Sequence, residues 1–284
     1  MKLRISTLTL RLVAPALLCF FVSAVGLAQK PQPAQADSVH ARVTETLIDS
    51  SIPDDPSVDQ MLAAYSPKVR ELDTVIGTLK GELRKSGIGA GSLGNFVTDG
   101  LLAEARKKAG NSIVMAITNA GGLRKNAFSE GDLRVRDMFE LLPFENALVQ
   151  FDLTGEQLLK LLNVALSHRD AQAGARIKYR SDADKKIELV SARLLIDGKE
   201  TEINPAAIYS IVCIDYLWKR RSTTLSETEG DYSVLGQAKK IQPLGLTMRD
   251  AMIQYVKDET AAGRSIKTNL DGRFSREKPE GPQP

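Results

Sequence analysis

Apolar residues recur along the chain in the two periods typical of short strands and amphipathic helices. Unbroken apolar runs of strand length occur at Ile113–Thr118 and Ile208–Ile214, and polar residues end both runs. Apolar residues at helical spacing occur in four further segments. The helices predicted by this spacing cover residues 57–72, 92–110, 154–166 and 248–261. Short strands mixed with helices predict one α+β domain, a mixed sheet with flanking helices.

Local signals fix several of these elements. Asp55–Pro56 provides an N-cap and a first-turn proline for the first helix, which Pro67 is expected to shorten or kink. Thr154–Gln157 has the form of a capping box. Asp197–Gly198, flanked by the segments Ile187–Ile196 and Glu200–Ile203, predicts a hairpin. The polar residues 215–230 predict a mobile loop.

The first 28 residues have the pattern of a secretory signal peptide. Three basic residues, Lys2, Arg4 and Arg11, precede or flank an apolar stretch, and Gly26–Ala28 supplies small residues for cleavage. An uncleaved membrane anchor is the alternative interpretation. Cleavage at this point would send the mature chain to the periplasm or the extracellular space.

The remaining chain divides into three parts by composition. Residues 29–56 read as a linker rich in Pro, Gln and Ala, in which Val39–Ile48 could form one weak strand. Residues 57–274 contain the periodic segments and form the predicted domain. Residues 275–284 are polar and proline-rich and predict a disordered tail.

Removal of the leader changes the charge. The formal net charge of +3 falls to zero, because the leader carries three basic and no acidic residues. A neutral domain has little non-specific attraction for nucleic acid, so no nucleic-acid partner is expected. Cys213 is then the one remaining thiol, and its apolar surroundings predict a buried core residue.

The stretch from Ile113 to Asn146 concentrates the candidate ligand chemistry. The strand at Ile113–Thr118 ends in Asn119-Ala120-Gly121-Gly122, which delivers a polar side chain and open backbone N–H groups to one end of a sheet. Arg124 adds a cation, and Phe144 follows a proline. These groups suit a planar, hydrogen-bonding ligand that carries a phosphate. A plain strand-ending turn, with Phe144 in the core, is the alternative.

These residues also carry a family resemblance. The blocks TNAGGLR and LPFEN, followed by DLTG and preceded by SLGNFVTD with Ser92 as a helix cap, resemble the C-terminal, substrate-binding domain of the secreted 5′-nucleotidases. The resemblance covers roughly Tyr65 to Phe274. It implies the fold of that domain and a substrate site at Asn119, Gly121, Gly122, Arg124, Phe144 and Tyr232.

Tyr232 enters this site through the resemblance alone. The segment EGDYSVL is similar to a GDGF-type segment of the family, whose aromatic ring stacks on the base opposite the phenylalanine of the LPF block. The sequence departs from the pattern of this family at two places. Ala90–Gly91 stands where many relatives have an Arg–Glu pair, and no acidic residue follows Tyr232 closely.

The resemblance also bears on catalysis. In this family, hydrolysis uses two metal ions held by a preceding metallophosphatase domain, and this chain shows no such domain. His40 and His168 are its two histidines, so the sequence predicts no metal ligands, no catalytic residue and no cofactor of its own. Divalent metals are expected on a partner metallophosphatase.

Three functions remain open at the level of sequence. The first is the nucleotide-binding component of a split 5′-nucleotidase, which works with a separately encoded metallophosphatase in nucleotide catabolism. The second is a non-catalytic extracytoplasmic protein that binds nucleosides or similar planar ligands. The third is an interaction domain whose ligand site has decayed. In each case no membrane association is expected after cleavage of the leader.

Overall fold

The computed structural model describes residues 42–182, 186–220 and 232–277, and the chain divides into two units, Met1–Asp55 and Pro56–Pro284. In the first unit, residues 42–48 form no strand, and their apolar side chains are exposed. The expected weak strand at 39–48 is therefore absent from its described part, because no neighbouring strand in the described residues pairs with it. The leader, residues 1–28, lies outside the described residues.

The second unit begins with two short helices in place of one long helix. These are α1 (Pro56–Ala63) and α2 (Ser66–Glu71). The break falls directly before Pro67, whose ring and missing N–H prevent a continuous helix. The apolar residues that share the expected helix face are all exposed: Val58, Met61, Leu62, Tyr65 and Val69.

A five-stranded mixed sheet forms the centre of the second unit. Its strand order is β12-β6-β11-β3-β7. These strands are β3 (Ile113–Thr118), β6 (Ala147–Thr154), β7 (Ala171–Ala173), β11 (Ile208–Ile214) and β12 (Lys239–Thr247). The strands β3 and β11 are parallel, whereas the other neighbouring pairs are antiparallel.

Three smaller sheets surround the central one. They have the orders β13-β1-β5, β10-β9-β8-β14 and β2-β4. Their strands are β1 (Val75–Lys80), β2 (Leu83–Arg84), β4 (Ala127–Phe128), β5 (Gly131–Arg134), β8 (Ala175–Ser181), β9 (Ile187–Ile196), β10 (Lys199–Glu202), β13 (Ile266–Lys267) and β14 (Phe274–Arg276). The hairpin predicted at Asp197–Gly198 is confirmed by the pairing of β9 with β10.

Five further helices flank these sheets. They are α3 (Gly91–Ala109), α4 (Val135–Leu141), α5 (Gly155–Ser167), α6 (Asp215–Lys219) and α7 (Met248–Ala261). Single 3₁₀ turns occur at Ile88–Ala90, Ala120–Gly122 and Tyr232–Gln237. The helix α3 packs against β3, β7 and α7, and α5 packs against β6 and β9. The predicted α+β fold, a mixed sheet with flanking helices, is confirmed.

Helix ends follow the predictions with one exception. Thr154 accepts a hydrogen bond from the Gln157 backbone N–H, and the Gln157 side chain accepts one from the Thr154 backbone N–H, so that capping box is confirmed. Ser92 does not cap α3. Its hydroxyl accepts a hydrogen bond from the Arg84 backbone N–H, at 2.9 Å, because the chain enters α3 through a left-handed Ala90.

Two predicted irregular segments contain regular structure. Within 215–230, residues Asp215–Lys219 form α6, because Leu217 is buried against the central sheet; residues 221–230 lie outside the described part. The predicted tail from 275 begins inside β14, which pairs with β8 through Ser275 and Arg276. Among the described residues, no helix is long and apolar enough to cross a membrane.

Candidate functional site

The candidate site lies where the two parallel strands of the central sheet end. The strand β3 leads into Asn119 and the turn Ala120–Gly122, while β11 leads into α6 and Tyr216. Parallel strands bring their carboxyl ends to one edge of a sheet, which is where α/β proteins commonly bind ligands. The segment before β6 reaches the same place.

A pocket of about 270 Å³ occupies this edge. Its size is near the lower end of small-molecule sites. The lining residues are Asn119, Gly121, Gly122, Arg124, Phe144, Asn146 and Tyr216. The structure therefore brings together five of the six residues proposed from sequence, and it adds Asn146 and Tyr216.

Asn119 lies against the turn that the two glycines make possible. A Cβ atom at Gly122 would lie 3.0 Å from Asn119 Oδ1, so a larger residue would displace the amide. Asn119 Oδ1 is buried and has no hydrogen-bond partner within the described part of the chain. An unpaired buried acceptor costs about 1–3 kcal/mol, which is the kind of cost tolerated at ligand sites.

Asp170 binds the backbone of the turn Ala120–Gly122. Its Oδ1 accepts a hydrogen bond from the Ala120 backbone N–H at 2.8 Å, and its Oδ2 accepts one from the Tyr232 hydroxyl. The residue is 4% exposed, and burial raises the pKa of its carboxyl despite these hydrogen bonds. Sequence reasoning missed Asp170, because it lies in no motif and follows α5 by three residues.

Tyr232 is the one predicted site residue that the structure places elsewhere. Its side chain is 1% exposed and does not line the pocket. The hydroxyl is bound to Asp170, the ring lies 5.6 Å from the His168 ring, and burial raises the pKa of the phenol. The structure therefore places the Tyr232 ring outside the pocket lining, and its stacking on a ligand opposite Phe144 stays a prediction.

Tyr216 presents an aromatic face to the pocket instead. It is 42% exposed, and the Arg220 guanidinium lies 5.7 Å from its ring centroid and donates to its hydroxyl at 3.2 Å. The signal that could have revealed it is the strand β11. A residue just beyond a strand parallel to β3 must lie near Asn119.

Phe144 lines the pocket from the segment before β6, and its ring is half exposed. The exposed fraction is 48%, and the Arg124 guanidinium carbon lies 5.8 Å from the ring centroid, within cation–π range. Asn146 follows two residues later, and its carbonyl accepts a hydrogen bond from the Met248 N–H at 2.7 Å. The segment before β6 is therefore tied to the start of α7.

Arg249 supports this segment from inside the protein. It is 8% exposed, and its Nη1 donates to the carbonyls of Leu142 and Pro143 at 3.3 and 3.4 Å. Its guanidinium carbon lies 4.1 Å from the Phe139 ring centroid. A guanidinium with a planar fork can hold two carbonyls at once, so Phe144 projects from a fixed backbone.

No group of three or more His, Cys, Asp or Glu side chains is arranged to hold a metal ion among the residues that the structure describes. His168 is the exposed C-cap of α5, as expected from its position, and His40 lies outside the described residues. Cys213 is buried in the sheet, which confirms its assignment to the core, and burial raises the pKa of its thiol.

Fold and pocket together define an α+β domain with a candidate ligand site at the edge where its two parallel central strands end. Residues 75–224 match the family model described as 5′-nucleotidase, C-terminal domain. The match covers more than half of the chain, and the chain belongs to this family. The resemblance inferred from the sequence blocks is confirmed.

Curated relatives point in the same direction. The chain is 32% identical over 192 residues to the trifunctional nucleotide phosphoesterase protein YfkN of Bacillus subtilis, and the match covers 64% of this chain and 12% of that protein. It is 26% identical over 166 residues to protein UshA of Yersinia enterocolitica, and that match covers 58% of this chain and 27% of the relative.

Solved structures share the fold. The 5′-nucleotidase precursor from Thermus thermophilus has a TM-score of 0.64 and 22% identity, covering 78% of this chain and 43% of that one. The NAD nucleotidase of Haemophilus influenzae has a TM-score of 0.56 and 19% identity, covering 79% and 42%. The chain thus spans less than half of the length of each of these four proteins.

Proposed function

We propose that this chain binds a nucleotide or nucleoside in the pocket between Phe144 and Tyr216. The observation that supports it most directly is the pocket lining, in which two half-exposed aromatic rings meet an amide and a guanidinium at one sheet edge. Aromatic faces stack on planar bases. Amide and guanidinium groups supply hydrogen bonds and positive charge for the rest of the ligand.

The chain then acts as the substrate-binding component of a split 5′-nucleotidase in nucleotide catabolism. The names of its relatives include a 5′-nucleotidase and a nucleotide phosphoesterase, and the chain spans only part of their length. In this proposal a separate metallophosphatase chain provides the divalent metals, which activate water and stabilise the phosphoryl group. Asn119 and Arg124 hold the substrate against those metals.

Export belongs to the same proposal. The basic and apolar pattern of residues 1–28 supports a signal peptide. The mature chain would then work in the periplasm or the extracellular space. A neutral net charge after cleavage gives it no general attraction for nucleic acid.

A second function is supported by the pocket lining, in which this chain brings together two aromatic rings, an amide and a guanidinium. Such a pocket can hold a nucleoside or a similar planar ligand without any partner. In that case the protein is a non-catalytic binding protein. The two functions differ in whether a metallophosphatase chain is required for turnover.

A thermal-shift screen of the purified chain against nucleosides and nucleotides tests ligand binding, which both proposed functions require. A ligand that binds only the folded state raises the melting temperature in proportion to the logarithm of its concentration above Kd. We expect at least one nucleoside or nucleotide to raise it, with the shift reduced in Phe144→Ala. No shift with any of them at millimolar concentration would reject ligand binding at this pocket.

A further inference from the structure

Two positive side chains, one in the pocket lining and one bound to the carbonyl of the preceding residue, have no acidic partner among the described residues. These are Lys85, directly after β2, and Arg124, which lines the pocket. Lys125, on the same loop as Arg124, differs from both, because its ammonium pairs with Glu140 at 2.5 Å and Asp137 at 3.6 Å. Asp137 and Glu140 are thus already paired with Lys125.

The loop itself holds Lys85 close to Arg124. The Lys85 backbone N–H donates to the Asn126 carbonyl at 2.7 Å, and its Nζ donates to the Leu123 carbonyl at 2.8 Å. Leu123 immediately precedes Arg124, so both cations emerge around the same short segment. Burial, together with the nearby positive charge of Arg124, lowers the pKa of Lys85.

Both cations keep donors available for a ligand. An ammonium has three N–H groups, and Lys85 directs one of them to Leu123. The Arg124 guanidinium has five N–H groups, and its contact with the Gly121 carbonyl is 3.5 Å long. Two neighbouring cations repel each other, and a doubly charged anion that bridges them relieves the repulsion.

We propose that Lys85 is a specificity-determining residue, which together with Arg124 binds the phosphate of a nucleoside monophosphate and so selects phosphorylated over unphosphorylated ligands. This inference rests on the proposed function. Its geometry agrees with the pocket, since the Arg124 guanidinium lies over the Phe144 ring at 5.8 Å. Arg124 therefore borders the ring on which a base is proposed to stack, and the Lys85 ammonium is bound to the carbonyl of the residue directly before Arg124.

Calorimetry with AMP and adenosine tests the assignment on the purified chain. We expect AMP to bind more tightly than adenosine, and Lys85→Met to weaken AMP binding by about tenfold or more while leaving adenosine unchanged. Lys85→Arg should retain most of the AMP affinity, because it keeps the charge. Lys125→Met is the matched control, and its AMP affinity should stay within about threefold because the Lys125 charge is already neutralised.

Other outcomes would overturn the assignment. Equal losses for AMP and adenosine in Lys85→Met would mean that Lys85 only positions the loop, and an unchanged AMP affinity would remove it from the site. If neither compound binds the wild-type chain, the proposed function fails, and inorganic phosphate then tests the subsite alone. Phosphate binding that disappears in Lys85→Met would keep the subsite, whereas no phosphate binding by the wild type would reject it.

Discussion

Phe144 shows how a single side chain can be both exposed and well ordered. Its ring is 48% exposed, yet the preceding carbonyls are fixed by the buried Arg249. A ring on a fixed support loses little conformational entropy when a ligand stacks on it. The binding energy of a planar ligand should therefore depend strongly on this ring.

We expect Phe144→Ala to cost about 1–3 kcal/mol of nucleotide-binding free energy, as base–aromatic stacking does elsewhere. Folding should survive, because the ring lies half outside the core. Titration calorimetry measures the affinity and urea denaturation measures the stability. Tyr65→Ala, which removes an exposed ring that does not line the pocket, should leave the affinity unchanged. An unaltered affinity in a folded Phe144→Ala variant would remove Phe144 from the site.

Tyr232 should matter for stability and not for stacking. Tyr232→Phe removes the hydroxyl that donates to the buried Asp170 carboxyl group, at a cost of about 1–3 kcal/mol in the free energy of unfolding because a buried acceptor is left unpaired. Urea denaturation of both proteins gives this difference. If the variant instead kept its stability and lost ligand affinity, Tyr232 would belong to the site after all.

Asp170 should make stability depend on pH in a distinctive direction. Burial raises the pKa of its carboxyl above the ordinary 3.8, although Tyr232, the Ala120 amide, His168 and Arg220 all oppose the rise. At pH values between 3.8 and the raised pKa, the folded state therefore keeps a proton that the unfolded state releases. The contribution of Asp170 to the free energy of unfolding falls as pH rises from about 3.8 through the raised pKa, and is constant above it.

Asp170→Asn removes this titration and supplies the matched comparison. The free energy of unfolding of the wild type minus that of the variant should decrease as pH rises above about 3.8 and become constant once the pH exceeds the raised pKa. Urea denaturation at a series of pH values gives the curve. A difference that increases with pH would show that the hydrogen bonds outweigh burial and that the folded pKa of Asp170 is lowered.

The two tyrosines also show which site residues a sequence can reveal. Asn119, Arg124 and Phe144 lie in local blocks, so a short stretch of chain carries all their signals. Tyr232 and Tyr216 owe their environments to partners far away in sequence. One hydrogen bond spans 62 residues, from Tyr232 to Asp170, and the other tyrosine reaches the pocket through the pairing of β11 with β3.

At the level of elements, the sequence predicted those whose own residues specify them. Thr154 caps α5 through its own side chain, and Asp197–Gly198 forms its hairpin locally. The strand β12 carries Pro243 and Gly245 and no alternating pattern, and it exists through irregular pairing with β6. The strand β14 likewise depends on β8. Long-range pairing of this kind leaves little local signal.

The end of the described chain is fixed by a buried arginine. Arg273, directly before β14, is 4% exposed and pairs with Asp99 of α3 and with Asp271, each at 2.9 Å. It also donates to the Gln172 carbonyl of β7 at 3.1 Å. A single guanidinium therefore connects a helix, a strand and the C-terminal segment.

Arg273→Met should lower the free energy of unfolding by about 3 kcal/mol, because removing one partner of a buried pair leaves the other charge uncompensated. Breaking a buried ion pair costs about 3–5 kcal/mol in the free energy of unfolding, and we expect the lower end of this range because the Asp99 side chain retains 32% exposure. The control is Arg276→Met, an exposed arginine of β14, which should change stability by no more than about 0.5 kcal/mol. Equal and small losses of unfolding free energy in the two variants would show that the Arg273 ion pairs do not stabilise the C-terminal segment.

The chain matches one part of larger relatives. It spans 43% of the Thermus thermophilus 5′-nucleotidase precursor and 12% of the Bacillus subtilis phosphoesterase. It contains the candidate ligand pocket, while no metal-binding cluster occurs in the described ranges 42–182, 186–220 and 232–277. We therefore expect ligand binding and hydrolysis to be separable in this protein.

The purified chain, supplied with Mn²⁺, Zn²⁺, Co²⁺ or Mg²⁺, should show no phosphatase activity above the buffer rate. Water needs a bound metal to become a nucleophile near neutral pH, and the two histidines of the chain occupy separate segments. Addition of the cognate metallophosphatase should give turnover of nucleotides. If the proposed assembly forms, Arg124→Met should lower kcat/KM without changing the metal content of the partner, because the proposed function assigns Arg124 to substrate binding. Metal-dependent turnover by this chain alone, after rigorous removal of contaminating phosphatases, would contradict the division of labour between the two chains.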